Sequence, residues 1–152
     1  MASSRLGPLS ILPALVLAPL VLGTARYALA EVVEVDEDAL AALLARDVPV
    51  IDVRREDEWR SRGVIEGSHP LTFFDASGRY DVEAWLEALS RIASPDEPIV
   101  LLCAHGVRSA RIADLLDARL GFAAVHNVTD GIEGWREAGG EIVPYADPRS
   151  ER

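Results

Sequence analysis

Short apolar runs alternate with stretches of helical periodicity along most of this chain. EVVEV (31–35) predicts a strand. In DEDALAALLAR, Asp36 can cap a helix and Leu40, Leu43 and Leu44 recur at helical spacing. VPVIDV (48–53) is a continuous apolar run ending near Asp52, as expected of a strand covered on both faces. RREDEWRSRG predicts a helical turn stopped at Gly63, and GSHPL a short strand near 68–71. TFFDASGRY reads as a loop, with Phe73 and Phe74 out of any period. DVEAWLEALSRIA places Val82, Trp85, Leu86, Leu89 and Ile92 on one helix face, and SPDEP ends it. IVLLC (99–103) is the most apolar strand candidate. SARIADLLDARLG predicts a helix starting at Ser109, with Ile112, Leu115, Leu116 and Leu120 inward and Gly121 as its stop. AAVHNV (123–128) predicts a strand. In TDGIEGWREAGG, Asp130 and Glu133 stand at capping-box spacing, Ile132 and Trp135 face inward, and Gly139 and Gly140 end the helix.

Strands alternating with helices predict an α/β three-layer sandwich, with a mainly parallel central sheet of about five strands and helices on both faces. In such sheets the chemistry sits beyond the carboxyl ends of the strands. Cys103, the single cysteine, stands at that end of the most apolar strand.

The first thirty residues differ from the rest. Arg5, an apolar run over residues 6–23 and the small residues Ala28-Leu29-Ala30 form a secretory signal-peptide pattern. Pro8, Pro13 and Pro19 weaken the alternative, an uncleaved membrane anchor. The expected organisation is a leader over 1–30, one domain over 31–145 and a polar tail over 146–152. The mature protein is then expected in the periplasm or outside the cell, or anchored facing outward if the leader stays.

The chain has 15 basic residues, all Arg, against 25 acids, for a formal net charge of −10. Such a balance, without a basic patch, argues against nucleic acid, and against a membrane surface unless the leader is retained. One cysteine forms no internal disulfide; in an exported chain it reads as a reactive or intermolecularly paired thiol, against the alternative of a buried structural cysteine. His69 and His126 have no metal-ligand spacing with each other or with Cys103, so no metal and no cofactor are expected.

Residues 103–108 join the strand to a helix N-terminus, where backbone N–H groups and the helix dipole favour an anion. Gly106 lets the backbone curl into a nest, Arg108 adds a cation and His105 can donate a hydrogen bond. A thiol in that setting should ionise more readily than a free one, and thiolate is the nucleophile.

VIDVRREDEWRSRGVIEGSHPL, IVLLCAHGVRSARIADLL and VHNVTDGIEGWREAGGEIVPY together resemble a single-domain rhodanese, the sulfurtransferase module. The likeness covers residues 31–145. It implies that Cys103 takes sulfane sulfur from a small anionic donor such as thiosulfate. The resulting persulfide passes it to a thiol, a cyanide-like nucleophile or a protein acceptor. Ala104, His105, Gly106, Val107 and Arg108 would be the loop that cradles the sulfur. Asp52, Arg54 and Ser109 would be supporting anchors. Val64 stands where relatives commonly carry a histidine, whose role there is structural. Two alternatives stay open: a non-catalytic binding or regulatory module, and a cysteine-based phosphatase or arsenate reductase on the same scaffold. Related cell-cycle phosphatases have a cysteine loop one residue longer.

Overall fold

The computed structural model describes residues 32–120, 122 and 124–147, without the side chains of 118–120. The elements run β1 (Val32–Val35), α1 (Glu37–Leu44), β2 (Val50–Asp52), α2 (Glu56–Arg62), β3 (His69–Pro70), α3 (Val82–Leu89), β4 (Ile99–Leu102), α4 (Val107–Leu120), β5 (Val125–Val128) and α5 (Gly131–Glu137). The strands form one sheet in the order β1-β5-β4-β2-β3, and every pairing is parallel. This is the α/β sandwich expected from the alternation of elements.

Successive side chains of a strand face opposite ways, and β4 shows this directly. Ile99 and Leu101 pack with Ile51, with Trp85 and Leu89 of α3, and with Ile112 and Leu116 of α4. Val100 and Leu102 pack on the other face with Val50, with Leu40 and Leu43 of α1, and with Ile132 of α5. All four β4 residues are fully buried. Covered on both sides, the strand accommodates no polar position, which explains its unbroken apolar run.

Some boundaries depart from expectation, each for a local reason. β2 is shorter than VPVIDV because the Val48 N–H still caps α1 through Leu43 O, and Pro49 has no N–H to give a ladder. Asp36 caps α1 as expected, accepting from the Ala39 N–H at 2.9 Å. α4 starts at Val107, two residues before the expected Ser109, so Arg108 and Ser109 both belong to its first turn. The expected stop at Gly121, and the side chain of Leu120, lie outside the described residues, as does the whole leader.

The capping box expected at Asp130 does not form. Asp130 makes no side-chain cap, and the Glu133 carboxylate is taken by Arg62 and Arg136. Carbonyls of the cysteine segment satisfy the first turn of α5 instead: Ile132 N–H donates to Cys103 O at 2.9 Å and Glu133 N–H to Ala104 O at 3.2 Å. The helix is thereby fastened to the cysteine loop itself.

Candidate active site

Cys103 follows the last residue of β4 and is 1% exposed. It belongs to the packed cluster on the α3–α4 side of the sheet. The loop beyond it turns at Gly106, whose φ is +74°. A Cβ there would lie 2.0 Å from the carbonyl oxygen of Thr129. Gly131 has φ +61°, and its Cβ would lie 2.5 Å from both Cys103 O and Ala104 O. The loop after β4 and the turn after β5 thus pack backbone against backbone, and each contributes a glycine where only glycine fits. The sequence signal for Gly131 was a glycine in the first turn of a helix, where propensity alone disfavours it.

Among the described residues, the backbone N–H groups of Ala104, His105, Gly106, Arg108 and Ser109 donate to no protein acceptor. The Val107 N–H turns back to His105 O at 2.9 Å. Ser109, fully buried, sets its hydroxyl 3.3 Å from Cys103 Sγ and 3.0 Å from Gly106 O. One hydroxyl proton serves two acceptors, so the Ser109 hydroxyl can turn to whichever carries more charge.

Arg108 is not the open cation its position suggests. Its guanidinium makes a two-point ion pair with Glu58 of α2, at 2.8 Å to Oε2 and 2.7 Å to Oε1. Glu58 also accepts from the Arg55 N–H at 3.1 Å. The Arg108 hydrogen bonds, with help from Arg55, pull the Glu58 pKa down to about 2 against the opposing effect of burial. In return Glu58 foremost, and Cys103 after it, hold the Arg108 pKa above its ordinary value. The guanidinium therefore faces the Glu58 carboxylate. Sequence reasoning missed Glu58; its spacing of three from Arg55, at the start of a charged helix, was the available signal.

Asp52 and Arg54 are both fully buried. Arg54 reaches Asp52 through Nε at 2.9 Å and Nη2 at 2.6 Å, and Nη2 also donates to Gly63 O at 2.7 Å. This pair ties the end of β2 to the end of α2, the helix that carries Glu58. His105 is exposed and lines a cleft of ≈ 360 Å³ with Glu37, Asp130, Glu133 and Glu137. Its side chain makes no hydrogen bond to Cys103. Ala104 is partly buried, and Val107 is 63% exposed at the rim. His69 is exposed on β3, and His126 is partly buried on β5.

The family model for the rhodanese-like domain matches residues 36–138. Thiosulfate sulfurtransferase 18 of Arabidopsis thaliana is 33% identical over 109 residues, covering 69% of this chain and 79% of that protein. The crystal structure of a rhodanese-related protein from Thermoplasma volcanium matches with a TM-score of 0.55 at 26% identity, covering 74% of this chain and 99% of that one. The structure of a Rhodopseudomonas palustris protein of unknown function, described as a possible tyrosine phosphatase, matches with a TM-score of 0.53 at 28% identity, covering 74% and 85%.

Proposed function

The chain belongs to the rhodanese-like domain family, a family of sulfurtransferases, and from that membership we propose that it transfers sulfane sulfur through a persulfide on Cys103. The observation that carries this reading is the loop geometry. A single thiol lies inside a short turn that leaves five backbone N–H groups without protein acceptors and brings the Ser109 hydroxyl within 3.3 Å of Sγ.

The thiolate of Cys103 attacks the outer sulfur of thiosulfate. A new S–S bond forms, the old one breaks, and its electron pair leaves with sulfite. The persulfide anion is then held by the loop N–H groups and the Ser109 hydroxyl, which favour negative charge there. No second cysteine exists to resolve it, so the sulfur leaves to an external acceptor.

The phosphatase alternative is disfavoured by loop length. From Cys103 to Arg108 the loop has six members, one fewer than in the related cell-cycle phosphatases. A shorter ring suits one terminal sulfur better than the oxygens of a phosphate. A non-catalytic module would have no need of the complete loop. The leader pattern supports export and cleavage after Ala30, which N-terminal sequencing of the protein from its host tests.

The test of the transfer step is cyanolysis. Thiosulfate and cyanide should give thiocyanate with the parent protein and none with Cys103→Ser, because a hydroxyl oxygen does not carry sulfane sulfur. Full activity in that variant would overturn the mechanism.

A further inference from the structure

We propose that Tyr145 and Asp147, in the segment after α5, are positioning residues for the cysteine loop and act on it through α2. The proposal rests on the sulfurtransferase reading and adds residues on which its loop depends.

α2 has seven residues, and a helix so short has little stability of its own. Its place is set by what packs on it. Glu58, in its first turn, holds Arg108 through the two-point ion pair. The Asp52–Arg54 pair reaches α2 at Gly63, and Glu133 of α5 reaches it at Arg62. Both of these anchors lie a full turn or more beyond Glu58.

The segment after α5 takes hold of the helix next to Glu58. It first passes against Gly63, whose Cβ would lie 2.6 Å from both Ile142 Cγ2 and Val143 O. Val64 and Val143 exchange two backbone hydrogen bonds, each 2.9 Å. From that bridge the chain runs back along α2. Tyr145 meets the buried Trp59 with ring centroids 5.4 Å apart, and the Arg60 guanidinium lies 5.8 Å from the centre of the Tyr145 ring. Asp147 Oδ2 then pairs with Arg60 Nη2 at 2.5 Å. Asp147 stands in the stretch expected as a polar tail, yet its side chain is only 12% exposed.

The helix gives these contacts leverage. At about 100° per residue, Arg60 points about 200° around α2 from Glu58. The C-terminal segment and the cysteine loop therefore hold α2 from nearly opposite sides. A shift of the helix moves the Glu58 carboxylate, and hydrogen bonds of 2.7 and 2.8 Å tolerate little movement. Arg108 follows its partner, and with it goes the Arg108 N–H, one of the five loop donors described above. Tyr145 and Asp147 thereby set how well the loop receives an anion.

The test uses the full chain and two alkylating reagents for Cys103, anionic iodoacetate and neutral iodoacetamide, beside sulfur loading by thiosulfate. General loosening changes both alkylation rates alike, whereas displaced loop donors change their ratio. Asp147→Asn and Tyr145→Ala should each lower the iodoacetate-to-iodoacetamide ratio and raise the KM for thiosulfate about threefold, with kcat little changed. In a Glu58→Gln background both effects should vanish, because the grip no longer has a carboxylate to place. Should Tyr145→Ala fail to fold, Asp147→Asn keeps the ring contact and tests the grip alone. The same factor in both backgrounds, or no change of ratio in the parent background, would overturn the proposal. A parent protein that never loads sulfur would overturn the carrier reading, and the alkylation ratio would then decide the positioning role by itself.

Discussion

Arg108 and Glu58 stand 50 residues apart in sequence and meet through two hydrogen bonds of 2.7 and 2.8 Å. The contact joins the first turn of α4 to α2. α2 is in turn fixed to β2 by the buried Asp52–Arg54 pair and its bond to Gly63 O. The Arg108 guanidinium is thus positioned from three elements rather than projecting freely from its own helix.

This relationship makes stability depend on pH in a stated window. The Glu58 pKa is depressed from an ordinary 4.5 to about 2 in the folded protein. A depressed carboxyl stabilises the fold above its unfolded pKa, and that contribution is lost as pH falls from about 4.5 toward 2. The urea midpoint of Glu58→Gln should therefore lie below that of the parent protein at pH 7, with the gap narrowing through this range. A gap constant down to pH 3 would contradict the ion pair.

Arg108→Ala removes the cation of the cysteine loop and strands a half-buried carboxylate. It should slow loading by thiosulfate and cost about 1–3 kcal/mol of stability. The double variant Arg108→Ala with Glu58→Gln should recover much of the stability but not the loading rate. Recovery of both together would mean that the arginine acts only through folding.

The alternation of elements, the buried β4 and the place of Cys103 were legible because each is a local pattern of apolar spacing or turn chemistry. What the sequence hid depends on contacts between distant segments. Glu58 looks like one of several acids on an exposed helix until α4 is set against α2. Asp130 and Glu133 have the spacing of a capping box, yet carbonyls of residues 103 and 104 reach the α5 N–H groups and leave Glu133 to the arginines. The early start of α4 follows from Gly106, whose left-handed turn and carbonyl, accepting from Ala110 N–H at 2.9 Å, open the helix before Ser109.

Gly106→Ala and Gly131→Ala should each disturb the site more than a surface substitution of the same size. Both need positive φ, and both would drive a Cβ to within 2.5 Å of neighbouring backbone carbonyls. The strain alone costs on the order of 1–3 kcal/mol. Thermal melts should show lowered midpoints, and sulfur loading should fall further than the melts account for. Parent-like loading in Gly106→Ala would show that the loop tolerates a wider turn.

The six-member loop should handle sulfur and not phosphate. Aryl phosphate hydrolysis should be negligible in a preparation that forms persulfide from thiosulfate. Cys103-dependent phosphatase turnover without sulfur loading would favour the alternative reading.

The central claim is tested most directly by the intact mass of the purified protein before and after thiosulfate. The predicted result is a gain of one sulfur atom, absent in Cys103→Ser and reversed by cyanide with release of thiocyanate. No mass gain, or the same gain in Cys103→Ser, would contradict the assignment of Cys103 as the sulfur carrier.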